Sequence, residues 1–377
     1  MKKLLFLTLL ATLVLHQANA QDADLVTAFM GEDVVEQPKD DNASIFSFLN
    51  FSFIKKPLGL LSSDKKQDVK EAPKEKAEPE QPLETPLQKA IRLADGGDAE
   101  SALTLGYMYL YGQDGVQSDY AKAFHYYEIA ANQNNVIALN NLGSLYFNGI
   151  GVDTDYEKAA ALFQKAADLG SDDAAVNLAF IYLSTQDKNY FEPAVLLFEQ
   201  AAKAGNNTAK FMLGYAYYKG FSVPQDFHVA VDLIKEAAKA NFDEAEYVFA
   251  RIYRNGEGIT QNYSNAVKYY RKAIAQGNVE AMMELAQIYQ EGIIAPKNLI
   301  QAHTLYNIAS VYGQAGAAEN RNAIGPKLKL EELLEAQNAA ERYHANPSEL
   351  TTYIRKTFGS NVRKYIDENL SKQKKQH

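Results

Sequence analysis

The chain contains no cysteine and no tryptophan among its 377 residues. Disulfides, thiolate metal sites and cysteine nucleophiles are therefore excluded, because each of them needs a cysteine sulfur. Dense clusters of Lys and Arg are also lacking, and the formal net charge is -9. Nucleic-acid binding needs basic side chains gathered against the phosphates, so we expect no nucleic-acid partner.

The residue patterns of metal and catalytic sites are lacking as well. No two of the six histidines have the spacing of metal ligands, and each is expected to be solvated or to cap a helix. Ser-x-x-Lys spacings, typical of some hydrolases, begin at Ser62, Ser63 and Ser371, in polar segments that offer no oxyanion hole. We therefore predict no catalytic residue, no metal and no cofactor, and expect a protein that is not an enzyme.

The first twenty residues have the layout of a secretory signal peptide. Lys2 and Lys3 give a positive start, an apolar stretch continues to Leu15, and Ala18-Asn19-Ala20 forms a small-x-small cleavage site. The apolar stretch is short for a bilayer span, and no later stretch is long enough. We predict that residues 1–20 direct export, to the periplasm or to the medium and cell surface, and that no transmembrane segment follows.

Residues 21–83 show no persistent helix or strand period and are interpreted as a disordered linker. A Phe-rich segment, residues 45–54, stands out within it. Apolar runs of this size usually have a role when exposed. The sequence leaves three interpretations open: the segment packs back on the folded part of the chain, it docks on a partner or a membrane surface, or its hydrophobicity has no role.

From about residue 84 the sequence repeats itself. A Leu or Phe, then Gly or Ala, then Tyr three residues later recurs every 35 to 37 residues, and pairs of small residues keep step with it. Such a period is the signature of stacked helix pairs. The six registers begin at Leu105-Gly106, Leu142-Gly143, Leu178-Ala179, Leu213-Gly214, Phe249-Ala250 and Leu285-Ala286.

The spacing within a repeat explains how two helices pack. Ala138, Leu142 and Tyr146 lie on one face of a 3.6-residue period, which we expect to be buried. Gly143 removes side-chain volume from that face, so the second helix can approach closely. An Asp or Asn stands where each second helix begins, as Asp155 does in repeat two, and is expected to cap it.

This pattern resembles the Sel1-like repeat family, relatives of the tetratricopeptide repeats (TPRs), with its alanine, Leu-Gly and Tyr, its Gly-x-Gly-Val turn and its Asp before an aromatic residue. The resemblance implies an all-α fold, a right-handed α-solenoid of Sel1-like, TPR-like helix-turn-helix repeats over residues 84–313. C-terminal capping helices and a tail follow over residues 314–377, with one final helix from about Ser348 to Leu370. The repeats lie near residues 98–133, 134–170, 171–205, 206–241, 242–277 and 278–313.

The resemblance also implies what the protein does. Family members bind protein or peptide partners, and some in intracellular bacterial pathogens are implicated in host-cell entry and vacuole trafficking. The exported layout is similar to that of the Legionella group, so host proteins are among the expected partners. The alternative is a periplasmic adaptor for cell-envelope or exopolysaccharide assembly. The oligomeric state stays open.

Partners are expected in the concave groove that the first helices line. Tyr and Arg concentrate binding energy in small areas, which favours the aromatic and basic groove positions. Arg251 and Arg254 are expected to be solvated and to hold a carboxylate-bearing ligand such as an acidic peptide. The predicted partner-binding residues are Tyr107, Asn141, Asn177, Tyr215, Tyr218, Arg251, Arg254 and Gln287.

Overall fold

The computed structural model of the chain describes residues 84–113 and 115–373. This part of the chain folds into seventeen α-helices with two short 3-10 segments, and it contains no strand. The prediction of an all-α fold built from helix-turn-helix repeats is confirmed. The predicted signal peptide, the linker with its Phe-rich segment and the last residues of the tail lie outside the described residues.

The chain divides into two compact units. The four-repeat unit comprises residues 84–240 and 352–373 of the described chain, and the two-repeat unit comprises residues 241–351. No helix within the described residues has both the length and the apolar character that crossing a membrane requires.

In the four-repeat unit, one helix precedes four helix pairs, and each helix packs on its neighbours in sequence. The helices are α1 (Pro86–Asp95), α2 (Ala99–Tyr111), α3 (Tyr120–Asn132), α4 (Val136–Asn148), α5 (Tyr156–Asp168), α6 (Asp172–Ser184), α7 (Phe191–Lys203), α8 (Asn207–Lys219) and α9 (Phe227–Lys239).

The two-repeat unit contains two further pairs and two capping helices, α14 and α15, which both pack on α13. Its helices are α10 (Asp243–Asn255), α11 (Tyr263–Ala275), α12 (Val279–Glu291), α13 (Leu299–Val311), α14 (Ala317–Ile324) and α15 (Leu330–Glu341). Two more helices end the described chain, α16 (Glu349–Phe358) and α17 (Lys364–Gln373).

A missing side chain sets how closely the paired helices approach. A Cβ built on Gly106 of α2 would lie 2.6 Å from the Tyr127 ring of α3, and one on Gly143 would lie 2.9 Å from the Phe163 ring of α5. Real Cβ atoms do not reach such distances without displacing a neighbour. The small residue after each repeated Leu or Phe therefore lets an aromatic or aliphatic side chain of the second helix fill the space.

The helix ends follow the expected capping chemistry. Asp155 Oδ1 accepts a hydrogen bond from the Lys158 N–H at 2.9 Å, and the equivalent Asp or Asn caps the other second helices with one exception. The exception is repeat three, whose turn lacks glycine. A 3-10 segment (Lys188–Tyr190) leads directly into α7, and Tyr190 at the N-cap makes no side-chain hydrogen bond there.

The prediction of one final helix from about Ser348 to Leu370 is wrong. The structure has two helices, α16 and α17, because Gly359 adopts a positive φ of 93° just after Phe358. That left-handed conformation suits glycine and ends an α-helix.

Residues 343–351 form a strap on the two-repeat unit. The Tyr343 hydroxyl donates to the Ile274 carbonyl at 2.5 Å, at the end of α11. One residue beyond that helix, Gln276 Oε1 accepts from the Ser348 N–H at 3.1 Å and from the Thr351 hydroxyl at 2.6 Å. The strap is therefore held by the Ile274 carbonyl and the Gln276 side-chain amide, acceptors at a helix end that would otherwise be hydrated.

The same glutamine reaches a buried acid. Gln276 Nε2 donates to Glu246 Oε2 at 2.7 Å, and Glu246 is 1% exposed. Burial raises the pKa of Glu246 to about 8, although the charge of Lys272 and the Gln276 hydrogen bond oppose the rise. Glu246 therefore holds a proton in the folded chain at pH values where an ordinary glutamate has lost it.

Leu213→Ala should lower the free energy of unfolding by about 2–5 kcal/mol, because Leu213 is 6% exposed and its removal leaves a cavity. The matched control is Leu196→Ala in the same unit, where the side chain is 56% exposed and the expected loss is below about 0.5 kcal/mol. Chemical denaturation followed by circular dichroism measures both. Equal losses would contradict the assignment of Leu213 to the core.

Glu246→Gln should alter the pH dependence of stability. A folded pKa raised from the ordinary 4.5 to about 8 means that the stability linked to this proton is complete below pH 4.5 and is lost as pH rises towards 8. The wild type should thus lose stability relative to the variant by at most about 1.4 kcal/mol per pH unit across that window.

Melting temperatures of both chains between pH 5 and 8 test this expectation. Exposed Glu236, whose pKa is lowered by its hydrogen bond to Lys239, serves as the control. Glu236→Gln should follow the wild-type profile across the window, and parallel profiles for Glu246→Gln and the wild type would show that Glu246 is ionised.

Candidate functional site

The candidate site is the face of the first helices that carries the predicted residues. We use "groove face" for the side chains two residues before, one residue after and four residues after the repeated Gly or Ala, on α2, α4, α6, α8, α10 and α12. Asn141 and Asn177 hold the first of these positions, Tyr107 and Gln287 the second, and Arg254 the third.

Over repeats three and four this face is covered by a segment of the chain itself. We call residues 352–373 the arm. The Phe358 ring of the arm stacks on the Phe180 ring of α6, with ring centroids 3.7 Å apart. Tyr365 meets the same Phe180 ring edge-on at 5.1 Å. Aromatic contacts therefore seat the arm on repeat three.

Polar contacts align the arm along repeats three and four. The Tyr215 hydroxyl donates to the two carboxylate oxygens of Asp367 at 2.9 and 3.1 Å, and the Lys219 ammonium lies 3.3 Å from the same carboxylate. Asn369 Nδ2 donates to the Leu183 carbonyl at 3.0 Å. Burial, and next the charge of Asp367, raise the pKa of Tyr215, so its hydroxyl keeps the proton that it donates.

Four of the five predicted groove residues in this unit are buried. Asn141, Asn177, Tyr215 and Tyr218 are 0%, 1%, 1% and 8% exposed, and Asn177 Nδ2 donates to Asn140 Oδ1 at 3.0 Å. The sequence analysis expected a partner to reach these four side chains, but the structure buries them.

Among the predicted partner-binding residues of this unit, Tyr107 keeps open surface. It is half-buried, and its ring lies 4.6 Å from that of Tyr111 in the same helix. Two adjacent tyrosine rings thus stand on α2.

The two arginines of the two-repeat unit share one counter-ion. Arg254 Nη1 lies 3.1 Å from Glu284 Oε2, and Arg251 Nε lies 3.6 Å from Glu284 Oε1. Their side chains remain 41% and 34% exposed. The expectation that both are simply solvated is therefore wrong, because a carboxylate from the next repeat occupies the space between them.

Glu284 also accepts hydrogen bonds from two tyrosines. The Tyr247 hydroxyl donates to Oε1 at 2.8 Å and the Tyr270 hydroxyl donates to Oε2 at 2.5 Å. We call Glu284 with Arg251, Arg254, Tyr247 and Tyr270 the Glu284 cluster. Burial, reinforced by the charge of Glu284, raises the pKa of Tyr270, which keeps its hydroxyl a donor.

Sequence reasoning missed Glu284, although a signal was present. It stands two residues before Ala286, which is the register of Asn141 and Asn177. One turn further along α12, Gln287 is exposed, as expected of a groove residue, and its Nε2 donates to Glu291 Oε1 at 2.7 Å.

The groove face offers stacking, hydrogen bonding and ion pairing. In residues 84–113 and 115–373, no group of three or more His, Asp or Glu side chains is arranged to hold a metal ion. His303 was expected to be solvated but is 4% exposed, and burial lowers its pKa.

Stacking, hydrogen bonding and ion pairing are the interactions by which a protein surface binds a peptide.

Together, the helix pairs and this face define a helical repeat protein of the interaction class. The Sel1 repeat matches residues 99–135, 136–171, 172–206, 208–242, 243–278 and 279–310, which together exceed half of the chain. The chain therefore belongs to the Sel1 repeat family, as the resemblance predicted. Proteins of this family are typically protein-interaction scaffolds.

Solved structures with this architecture come from several bacteria. A Sel1 repeat protein from Oxalobacter formigenes is 26% identical with a TM-score of 0.53, and the match covers 68% of this chain and 75% of that one. A protective antigen of uropathogenic Escherichia coli that displays an SLR fold, c5321, is 22% identical with a TM-score of 0.49, over 77% of this chain and 66% of that chain. No curated protein matches the chain.

Glu284→Gln should destabilise the two-repeat unit by about 1–2 kcal/mol, because two tyrosine hydroxyls lose a charged acceptor. The partly exposed arginine pairs add little to this loss. Glu291→Gln, an exposed change in the same helix, is the control with an expected loss below about 0.5 kcal/mol. Thermal melts that show equal losses would contradict a special role for Glu284.

Proposed function

We propose that the chain is an exported, non-enzymatic scaffold that binds protein or peptide partners on its groove face. One observation carries the proposal: the groove face of the four-repeat unit holds a helical segment, the arm, through ring stacking, a carboxylate and an amide contact. A surface that holds one amphipathic helix has the chemistry to hold another.

Open positions on the groove face support binding beyond the arm. Tyr107 in the four-repeat unit, and Arg251, Arg254 and Gln287 in the two-repeat unit, all keep exposed surface. Tyr and Arg are the residue types over-represented among the side chains that dominate binding energies. These positions are therefore where we place the first contacts with a partner.

The charge of the Glu284 cluster favours an acidic ligand. Two arginines face one glutamate, and their side chains remain 34% and 41% exposed. The carboxylate of a partner can therefore reach the exposed part of each guanidinium. An acidic peptide segment thus fits this cluster better than a basic one.

Export and a role at the host interface complete the proposal. They are supported by the signal-peptide layout of residues 1–20 and by the similarity to exported family members of intracellular pathogens. A scaffold that acts there would meet partners outside the cytoplasm.

A photo-crosslinking amino acid placed at Tyr107 or at Gln287 should capture partners from cells that produce the full chain. Both positions lie on the groove face and are accessible. The matched controls are Tyr156 and Tyr263 at the starts of second helices, where the side chains are 59% and 40% exposed. Captured adducts, separated by electrophoresis after cell fractionation, should come from the groove positions and from the exported fractions.

The outcome distinguishes the parts of the proposal. Equal adducts from Tyr156 and Tyr263 would place binding on the second helices and contradict the groove assignment. Adducts confined to the cytoplasm would contradict export, and adducts confined to the periplasm would contradict a host-facing role.

A further inference from the structure

We infer that repeats three and four form a receptor site for two short amphipathic helices in succession, and that the arm is its exchangeable resident. The first helix presents an aromatic ring to Phe180, and the second presents a carboxylate to Tyr215 and Lys219. This inference rests on the proposed function and adds to it the class of partner and the way in which access to the site is controlled.

The apolar contact defines half of the recognition. Ile354 and Phe358 lie one turn apart on α16, Val362 lies in the connection after Gly359, and Ile366 lies on α17. Each is at most 6% exposed. A partner that replaces the arm must supply apolar side chains at these places, with an aromatic ring at the position of Phe358 to stack on Phe180.

The polar contact defines the other half. Asp367 stands nine positions after Phe358 in sequence. It accepts a hydrogen bond from the Tyr215 hydroxyl and forms an ion pair with the Lys219 ammonium. The Asn369 amide then reaches the Leu183 carbonyl. A carboxylate and an amide two residues apart therefore set the register of the bound segment, because neither contact survives a shift along the helix.

The arm also has features of a docked segment. The side chains of Asp367 and Lys219 are 38% and 31% exposed, so water reaches the ion pair that aligns the arm. A cavity of about 30 Å³ remains where Thr357 and Phe358 meet Asn177 of α6. Partly solvated charges and small voids are typical of separable interfaces more than of tightly packed cores.

The strap and the arm are held by different contacts. Residues 343–351 are fixed to the two-repeat unit through Ile274 and Gln276, whereas residues 352–373 contact α6 and α8 of the four-repeat unit. Because α16 (Glu349–Phe358) begins in the strap and ends in the arm, the arm leaves the groove face while the strap stays in place when α16 opens between Thr351 and Phe358. Tethered in this way, it competes with any partner at an effective concentration on the order of millimolar.

The test uses the purified chain and a fluorescent peptide of residues 352–373. A variant chain with Phe358→Ala and Asp367→Lys has a weakened resident arm, while Phe180, Tyr215 and Lys219 of the receptor site are unchanged. Fluorescence anisotropy should show this variant binding the peptide at least about tenfold more tightly than the wild-type chain does. A peptide that carries the same two substitutions is the matched control and should not bind.

A charge exchange tests the register. Lys219→Glu in a chain whose own arm carries Phe358→Ala and Asp367→Ala should abolish binding of the natural peptide and should permit binding of a peptide that carries Asp367→Lys alone. A folded variant chain, with wild-type helical content by circular dichroism, that binds none of these peptides would overturn the inference.

Amide hydrogen exchange of the wild-type chain tests the inference without any variant, and so does not depend on the variant folding. Amides of α17 should exchange at least about tenfold faster than those of α8, because the arm opens without unfolding the repeats. Equal exchange rates would overturn the inference. Crosslinking from Tyr107 and Gln287 does not involve the arm contacts, so it reports on the proposed function even if the arm proves to be fixed.

Discussion

Close contact between the two helices of each repeat is the constraint on which the rest of the structure depends. Gly106 and Gly143 leave room for the rings of Tyr127 and Phe163, and alanines that are fully buried hold the equivalent position in repeats three, five and six. Because the small residue faces the second helix, its neighbours in the first helix are turned towards the groove face. The packing of each pair therefore decides which side chains are available for binding.

The groove face shows how a repeat protein distributes its polar groups. In the four-repeat unit, Tyr215 and Lys219 are matched by Asp367 of the arm, and in the two-repeat unit Arg251 and Arg254 are matched by Glu284. In both units a carboxylate of the chain itself occupies the face, and at Arg251 and Arg254 it stands where a ligand carboxylate was expected. A partner of this protein thus competes with these internal carboxylates. The selectivity for one partner over another therefore depends on how well the partner's side chains reproduce the internal contacts.

The arm gives the groove a further property. Its helices lie far in sequence from the repeats that they cover, and contacts such as the stacking of Phe358 on Phe180 and the Asn369 hydrogen bond to the Leu183 carbonyl hold them there. An internal occupant of this kind lowers the apparent affinity for external partners by the fraction of time that the site is filled.

The sequence by itself determined the helix pairs, their caps and the residues of the groove face, because these depend on contacts within 35 to 37 residues that every repeat restates. Asp155 as a helix cap and Gly143 as a close-approach position were predictable for that reason. Only the tertiary structure decided that the arm returns to cover Tyr215, and that Glu284 lies between two arginines. The arm contacts join positions with no periodic relation, and the Glu284 pairs depend on side chains that differ from repeat to repeat, so the repeat pattern encodes neither.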